Sequence, residues 1–229
     1  MLRVELHAHT SDDPIDRIPH SATELIDRAA SLGYRGLAIT LHDRQLDVRP
    51  LEPYAAERGL TLIPGMERTV EGRHVLLINF ASGAEEVRTF DDIARLKRRG
   101  PGLVVAPHPF FPARSCLRGL MDVHADLFDA VEYNAMFTAA INFNRRAVRW
   151  AERHCRPMVG NCDVHRLHQL GTTYSVVDAE PDADAICAAI ASGHVRVERR
   201  PLPWGAAMRT MAELMLDELT QVRSSKVER

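Results

Sequence analysis

The feature that most limits the fold of this chain is the position of its histidines and carboxylates at the ends of short apolar runs. The run that opens the chain ends in His7 and His9, and a later run ends in Asp163 and His165. Because side chains of a strand alternate between two faces, residues two apart point the same way. Each pair can therefore direct two ligand atoms to one point, and we expect a fold that gathers many strand ends together.

Strand-like apolar runs alternate along the chain with segments whose apolar residues recur at helical spacing. This alternation is typical of parallel β-α units, of which we count about seven. A closed or nearly closed barrel explains the ligand candidates better than an open sheet, because barrel active sites collect residues from the C-terminal ends of many strands. The sequence thus predicts a single-domain α/β barrel with a metal site at that end.

Two helical patterns predict how the rest of the chain packs. One places Phe143 and Trp150 on a single face, which we expect to be buried. We divide the chain into a barrel domain, 1–200, and a C-terminal segment, 201–229, whose helix packs on the barrel and whose charged tail frays. The packing face of that helix is expected to be a stripe that includes the methionines at 208, 211 and 215.

Net charge, the N-terminal region and the cysteines each limit the class of protein to which this chain can belong. A formal net charge of -2 does not favour a stable complex with nucleic acid or a membrane partner. His7 and His9 interrupt the region that a signal peptide would need to be apolar, so we expect a cytoplasmic protein. The four cysteines form no C-x-x-C pair and are expected to be reduced and mostly buried.

The residue types indicate metal-dependent hydrolysis. Imidazole and carboxylate ligands suit zinc, manganese or iron, and a carboxylate such as Glu67 can bridge two ions. Such ions lower the pKa of bound water to about 7, so neither a serine nor a cysteine nucleophile is needed. The chain has no G-x-S-x-G elbow, phosphate loop, dinucleotide fingerprint or H-E-x-x-H helix. We therefore expect a multi-metal hydrolase.

The order of six motifs resembles that of the PHP family, named for polymerase-associated and histidinol-phosphatase domains. The motifs are Leu6–Thr10, Ala38–His42, Gly65–Glu67, His74–Leu77, Ala106–Pro109 and Gly160–His165. The resemblance implies a distorted (β/α)7-type barrel whose cleft holds two or three divalent ions. It also implies hydrolysis of a phosphate ester.

Carried over residue by residue, the resemblance assigns nine ligands and two catalytic carboxylates, Glu67 and Asp163. The first ion would be held by His7, His9, Glu67 and Asp163; the second by Glu67, His74 and His108; and the third by His42, His165 and an acidic residue of the loop after His9. Family members often carry Ser-Asp-Gly in that loop, where this chain has Asp12-Asp13-Pro14. Asp13 is the preferred ligand, with Asp16 and His20 as alternatives.

Two further residues are candidate substrate contacts. Asn134 falls where the family often lines the cleft, and Arg114 lies shortly after His108, where its guanidinium could bind a phosphate. Arg17 and Arg68 are weaker candidates for the same contact.

The sequence predicts a metal-dependent phosphoesterase in which metal-bound hydroxide attacks phosphorus. Its substrate would be a small phosphorylated molecule or the end of a nucleotide or oligonucleotide. One alternative is a metallohydrolase of the amidohydrolase type, although such enzymes usually carry a metal-bridging lysine and neither Lys97 nor Lys226 ends a strand. The other alternative is a degenerate PHP-like binding module.

Overall fold

A computed structural model describes residues 1–227, with side chains placed as far as Leu216. Within these residues, nine strands form one mixed sheet in the order β7-β6-β5-β4-β3-β2-β1-β8-β9. The strands are β1 (Leu2–Glu5), β2 (Gly36–Ile39), β3 (Thr61–Val70), β4 (Arg73–Ile78), β5 (Leu103–Ala106), β6 (Ala130–Asn134), β7 (Met158–Asn161), β8 (Thr173–Val177) and β9 (Val195–Arg199).

The sheet curls until its β7 edge meets β1 and β8. Just past the ends of β1 and β7, the amide of His9 donates to the carbonyl of Val164 (3.0 Å) and the amide of Val164 donates to the carbonyl of His7 (3.1 Å). On the other side, the amide of Gly160 donates to the hydroxyl of Ser175 (2.9 Å). A nearly closed α/β barrel results, and the prediction of a distorted barrel is confirmed.

The expectation of purely parallel units is wrong for β4, β8 and β9. β4 returns from β3 through a tight turn at Glu71 and Gly72, whose φ angles of 49° and 76° are left-handed. It therefore runs antiparallel to both β3 and β5. This reversal positions the site, because the first residues of an antiparallel strand lie beside the last residues of its neighbours. His74, near the start of β4, is thereby brought to the C-terminal ends of β3 and β5.

Seven α-helices occur within the described residues, and most pack their apolar sides on the barrel. They are α1 (Ala22–Ser31), α2 (Glu52–Glu57), α3 (Phe90–Arg99), α4 (Leu120–Val123), α5 (Asn144–Arg153), α6 (Ala183–Ala191) and α7 (Trp204–Val227). Trp150 of α5 is buried, as the helical pattern predicts. Phe143 is not: it lies just before α5 and is 41% exposed, so the predicted face is wrong at this end.

Helix α7 contacts the barrel less completely than its sequence suggests. Thr210 is buried and Glu213 lies 3.5 Å from His168, but Met208, Met211 and Met215 are all exposed. The methionine stripe is therefore not the covered face within the part whose side chains are described. The domain boundary at residue 200 stays a prediction, and the end of the charged tail, 228–229, lies outside the described residues. None of the described helices is both long and apolar enough to cross a membrane.

Candidate metal centre

Glu67 lies at the middle of a cluster of histidines. Its side chain is only 1% exposed, because β3 continues past the end of β2 and carries Glu67 into the mouth of the barrel. Five imidazole nitrogens face its two oxygens: Nε2 of His7 (3.1 Å), His42 (3.1 Å) and His9 (3.4 Å) face Oε2, and Nδ1 of His74 (2.7 Å) and Nε2 of His108 (3.2 Å) face Oε1. One carboxylate thus links two groups of potential ligands.

Asp163 closes the cluster from the end of β7. Its Oδ1 lies 3.3 Å from Nε2 of His7, 3.5 Å from Nε2 of His9 and 3.5 Å from Nδ1 of His165. Asn134 donates from Nδ2 to the other oxygen, Oδ2, at 3.3 Å. The side chain of Asp163 is 24% exposed, so this carboxylate lies between the buried histidines and solvent.

The loop after β1 places two carboxylates differently. Oδ2 of Asp13 lies 3.1 Å from Nδ1 of His9 and 3.0 Å from Nδ1 of His42, behind the nitrogens that face Glu67. Oδ2 of Asp16 lies 3.0 Å from Nε2 of His165 and 3.9 Å from Nδ1 of His42, between the two histidines assigned to a third ion. Asp13 is thus placed to orient the imidazoles of His9 and His42. Asp16 instead faces His42 and His165, the two histidines assigned to the third ion.

Other sequence candidates have different surroundings. Nε2 of His20 bonds to the carbonyl of His9 (2.9 Å), so this nitrogen serves the backbone. Arg68 is buried, donating to the carbonyl of Val87 and to Asp43, and its guanidinium is therefore part of the structural framework. Arg114 and Arg17 are exposed in the loops after β5 and β1.

Two buried carboxylates support the cluster and were missed by the sequence analysis. Glu132 of β6 accepts from Nδ1 of His7 (2.9 Å) and from the amide of His108 (2.5 Å), so both of its oxygens are used. Glu5 accepts from the amides of His7 and Cys162 and ties β1 to the end of β7. A signal was present: Glu132 lies two residues before Asn134 on one face of a strand, the same spacing as His7 and His9.

The backbone is strained at the ends of three elements that form this site. Asp43, His108 and Asp163 have φ angles of 54°, 29° and 54°, in the left-handed region that residues other than glycine seldom adopt. Such conformations cost about 1–2 kcal/mol each and persist where surrounding contacts hold them. For His108 one such contact is the bond from its amide to Glu132.

Neighbouring carboxylates govern the protonation of the histidines. Burial lowers the pKa of His42, but the charge of Glu67 and the hydrogen bond to Asp13 outweigh it and raise that pKa to about 11. Burial raises the pKa of Glu67, but the charges of His74, His7 and His42 hold it well below its usual range. The carboxylates thus favour positively charged imidazoles, and protonation of these nitrogens would compete with the binding of a metal cation.

The donor set fits divalent metal ions. Nε2 of His9 is buried and has no hydrogen-bond partner among the described residues, although it lies 3.4 Å from Glu67 and 3.5 Å from Asp163. The candidate ligands fall into compact groups of three, and the group that contains His7 and His108 has Glu132 as its third member. The nine candidates found in these groups are His7, His9, Asp13, His42, Glu67, His74, His108, Asp163 and His165. Such nitrogen and oxygen donors suit zinc, manganese or iron.

Comparisons with known proteins agree with this geometry. Residues 142–195 match the family model described as PHP-associated. An alignment over 90 residues is 36% identical to the PolC-type DNA polymerase III of Caldanaerobacter subterraneus subsp. tengcongensis, and it covers 32% of this chain but only 6% of that polymerase.

Two solved structures share the fold at low sequence identity. A two-domain protein from Bacteroides vulgatus, containing a predicted PHP-like metal-dependent phosphoesterase, matches 87% of this chain and 65% of its own, with a TM-score of 0.65 and 16% identity. The lesion-specific endonuclease Q of Pyrococcus furiosus matches 86% of this chain and 57% of its own, with a TM-score of 0.56 and 16% identity. This chain thus spans less than two thirds of either protein. This chain is therefore similar to PHP-family proteins in its motifs, in the segment that the family model matches and in its barrel fold.

Proposed function

We propose that this chain is a metal-dependent hydrolase of phosphate esters that uses two or three divalent ions. The observation that carries the proposal is the position of Glu67, whose two oxygens face separate groups of histidines and could each serve a different ion. When bound, paired ions lower the pKa of coordinated water and stabilise charge on the attacking and leaving oxygens of a phosphoryl group.

The protein's own residues supply orientation and access. Glu67 sets the spacing between the two groups, and Asp163, held by Asn134, presents a partly exposed carboxylate at the cleft. Arg114 lies in the loop that follows His108, where a guanidinium could neutralise phosphate oxygens. Manganese, iron and zinc are the proposed ions, and the cytoplasm is the proposed location. The substrate would be a small phosphate ester or the end of a nucleotide chain, with no stable nucleic-acid complex.

The amidohydrolase alternative has less support from the side chains. Nζ of Lys97, a residue of α3, donates to the carbonyl of Leu127 (2.8 Å) and to Asp129 (2.6 Å), so this lysine is bound to the segment that precedes β6. Glu67 occupies the central position that a bridging group would need. A degenerate binding module is tested by metal analysis: less than one equivalent of metal after reconstitution would support it.

The proposal is tested by phosphate release from p-nitrophenyl phosphate and from its bis-ester. Protein stripped with a chelator is reloaded with manganese, iron or zinc, and Asp163→Asn is compared with the exposed control Asp126→Asn. We expect Asp163→Asn to lose at least about 100-fold in activity, more than loss of an outer-shell partner costs, and the control to be unchanged. Equal activity in wild type and Asp163→Asn would overturn the assignment.

A further inference from the structure

Two phenylalanine rings extend from the metal centre towards solvent. The ring centroid of Phe111, in the loop after β5, lies 6.5 Å from that of His108 and 5.4 Å from that of Phe143. Phe143 precedes α5 in the loop after β6, so the two neighbouring loops of the barrel mouth each contribute one ring. We call Phe111 and Phe143 the aromatic shelf.

One ring of the shelf, Phe143, is exposed where burial would be expected, and the other, Phe111, is partly buried. Phe143 is 41% exposed although the helical pattern places it with the buried Trp150, and Ile141 beside it is 48% exposed. Exposed apolar surface at the rim of a polar site is typical of a ligand-binding surface. The large flat area of an aromatic ring favours a planar apolar ligand.

The segments that carry the shelf are positively charged in a chain whose net charge is -2. Residues 107–121 and 133–151 contain no aspartate or glutamate. They contain five arginines: Arg114, Arg118, Arg145, Arg146 and Arg149. All five are exposed, and the guanidinium carbon of Arg146 lies 4.9 Å from the centre of the Phe110 ring. Aromatic rings combined with a positively charged surface are typical of proteins that stack nucleobases and bind their phosphates.

We propose that the aromatic shelf stacks the nucleobase of a substrate whose phosphate lies at the metal centre. The substrate is then a nucleotide or the end of an oligonucleotide, and Phe143 selects it over phosphate esters that lack a base. This inference rests on the proposed function for its phosphate site, whereas the stacking of the base depends only on Phe111, Phe143 and the arginines around them.

Binding measurements separate these two parts. Adenosine 5′-monophosphate, ribose 5-phosphate and a 5′-phosphorylated dinucleotide are titrated calorimetrically into metal-loaded wild type, Phe143→Leu and Phe143→Tyr. Because stacking contributes strongly per base, we expect Phe143→Leu to weaken binding of the mononucleotide about 10-fold. Phe143→Tyr keeps a ring and should bind as wild type does. Ribose 5-phosphate should bind all three proteins equally, and Phe111→Leu should reproduce the effect.

Each outcome decides between the two hypotheses. Equal loss for adenosine 5′-monophosphate and ribose 5-phosphate in Phe143→Leu, or no loss for either, overturns the shelf. Ring-dependent binding without any phosphate release supports the shelf and contradicts the hydrolase. If the dinucleotide binds more tightly than the mononucleotide to wild type but not to Arg145→Gln, the base belongs to the end of an oligonucleotide. If the two ligands bind wild type equally, the base belongs to a free nucleotide.

Discussion

The two oxygens of Glu67 face very different surroundings. On the Oε2 side the side chains of His7, His9 and His42 are 0%, 0% and 7% exposed. On the Oε1 side His74 and His108 are 20% and 12% exposed. We call these the closed side and the open side of the centre.

The groups behind the imidazoles differ in the same way. On the closed side, Nδ1 of His7 is held by Glu132 and Nδ1 of His9 and His42 by Asp13, all carboxylates. On the open side, Nδ1 of His108 faces the thiol of Cys116 at 3.5 Å. A carboxylate behind an imidazole raises its basicity as a ligand and fixes its tautomer, whereas a thiol is a weak partner. We therefore expect the closed side to retain an ion more tightly than the open side, which would exchange its ion and admit substrate.

The largest expected effect comes from removing one histidine on each side. We expect His42→Ala to lose the tightly held metal and more than about 100-fold in activity, since a direct ligand matters more than an outer-shell group. His74→Ala should lose only the metal that a chelator removes first from wild type. Metal content during stepwise chelation, measured by atomic emission, checks both results.

His194→Ala is the control for these variants, because His194 is exposed in the turn before β9. It should keep the metal content and the chelation profile of wild type. If His74→Ala lost the slowly removed metal, or if all metal left wild type in a single step, the distinction between closed and open sides would be wrong.

A smaller effect is expected from the carboxylate that connects the two sides. Glu132→Gln keeps the size of the side chain and an oxygen for the amide of His108, but it removes the charge that holds Nδ1–H of His7. We expect metal affinity to fall about 10–100-fold, as is usual for outer-shell partners. Titration with a fluorescent metal indicator measures this change, and thermal unfolding without metal shows whether the barrel is intact. Unchanged affinity would mean that Glu132 serves only the fold.

How much of this centre the sequence predicts depends on where each residue lies. His7, His9 and Asp163 follow short buried strands, and the alternation of strand side chains combined with barrel closure is enough to bring such residues together. His74 was selected through the resemblance, and the structure places it beside Glu67. Its position depends on the reversal of β4, which the alternating pattern does not reveal. The choice between Asp13 and Asp16 depends on the path of a loop, and loop paths are not encoded by periodicity.

The two carboxylates that the sequence analysis missed also depend on the three-dimensional path of the chain for their identification. Glu132 and Glu5 lie inside strands, where a single carboxylate in an apolar run resembles an outward-facing position. Only the closed barrel shows that these faces point to the interior, where each carboxylate meets backbone amides and an imidazole or a strand end. Phe143 is the opposite case: a residue expected in the core is left at the mouth, because the helix begins just after it.

The smallest expected effect tests the open side alone. Cys116→Ala removes the sulfur that faces Nδ1 of His108, and because a thiol is a weak hydrogen-bond partner we expect only a few-fold loss in affinity for the rapidly exchanging metal. The slowly removed metal should be unaffected, since its histidines are held by Asp13 and Glu132. Cys155→Ala, at an exposed cysteine, is the matched control and should change neither class. Because Glu67 is shared by both sides, a loss of the slowly removed metal in Cys116→Ala would show that the sides are coupled through that carboxylate and do not bind independently.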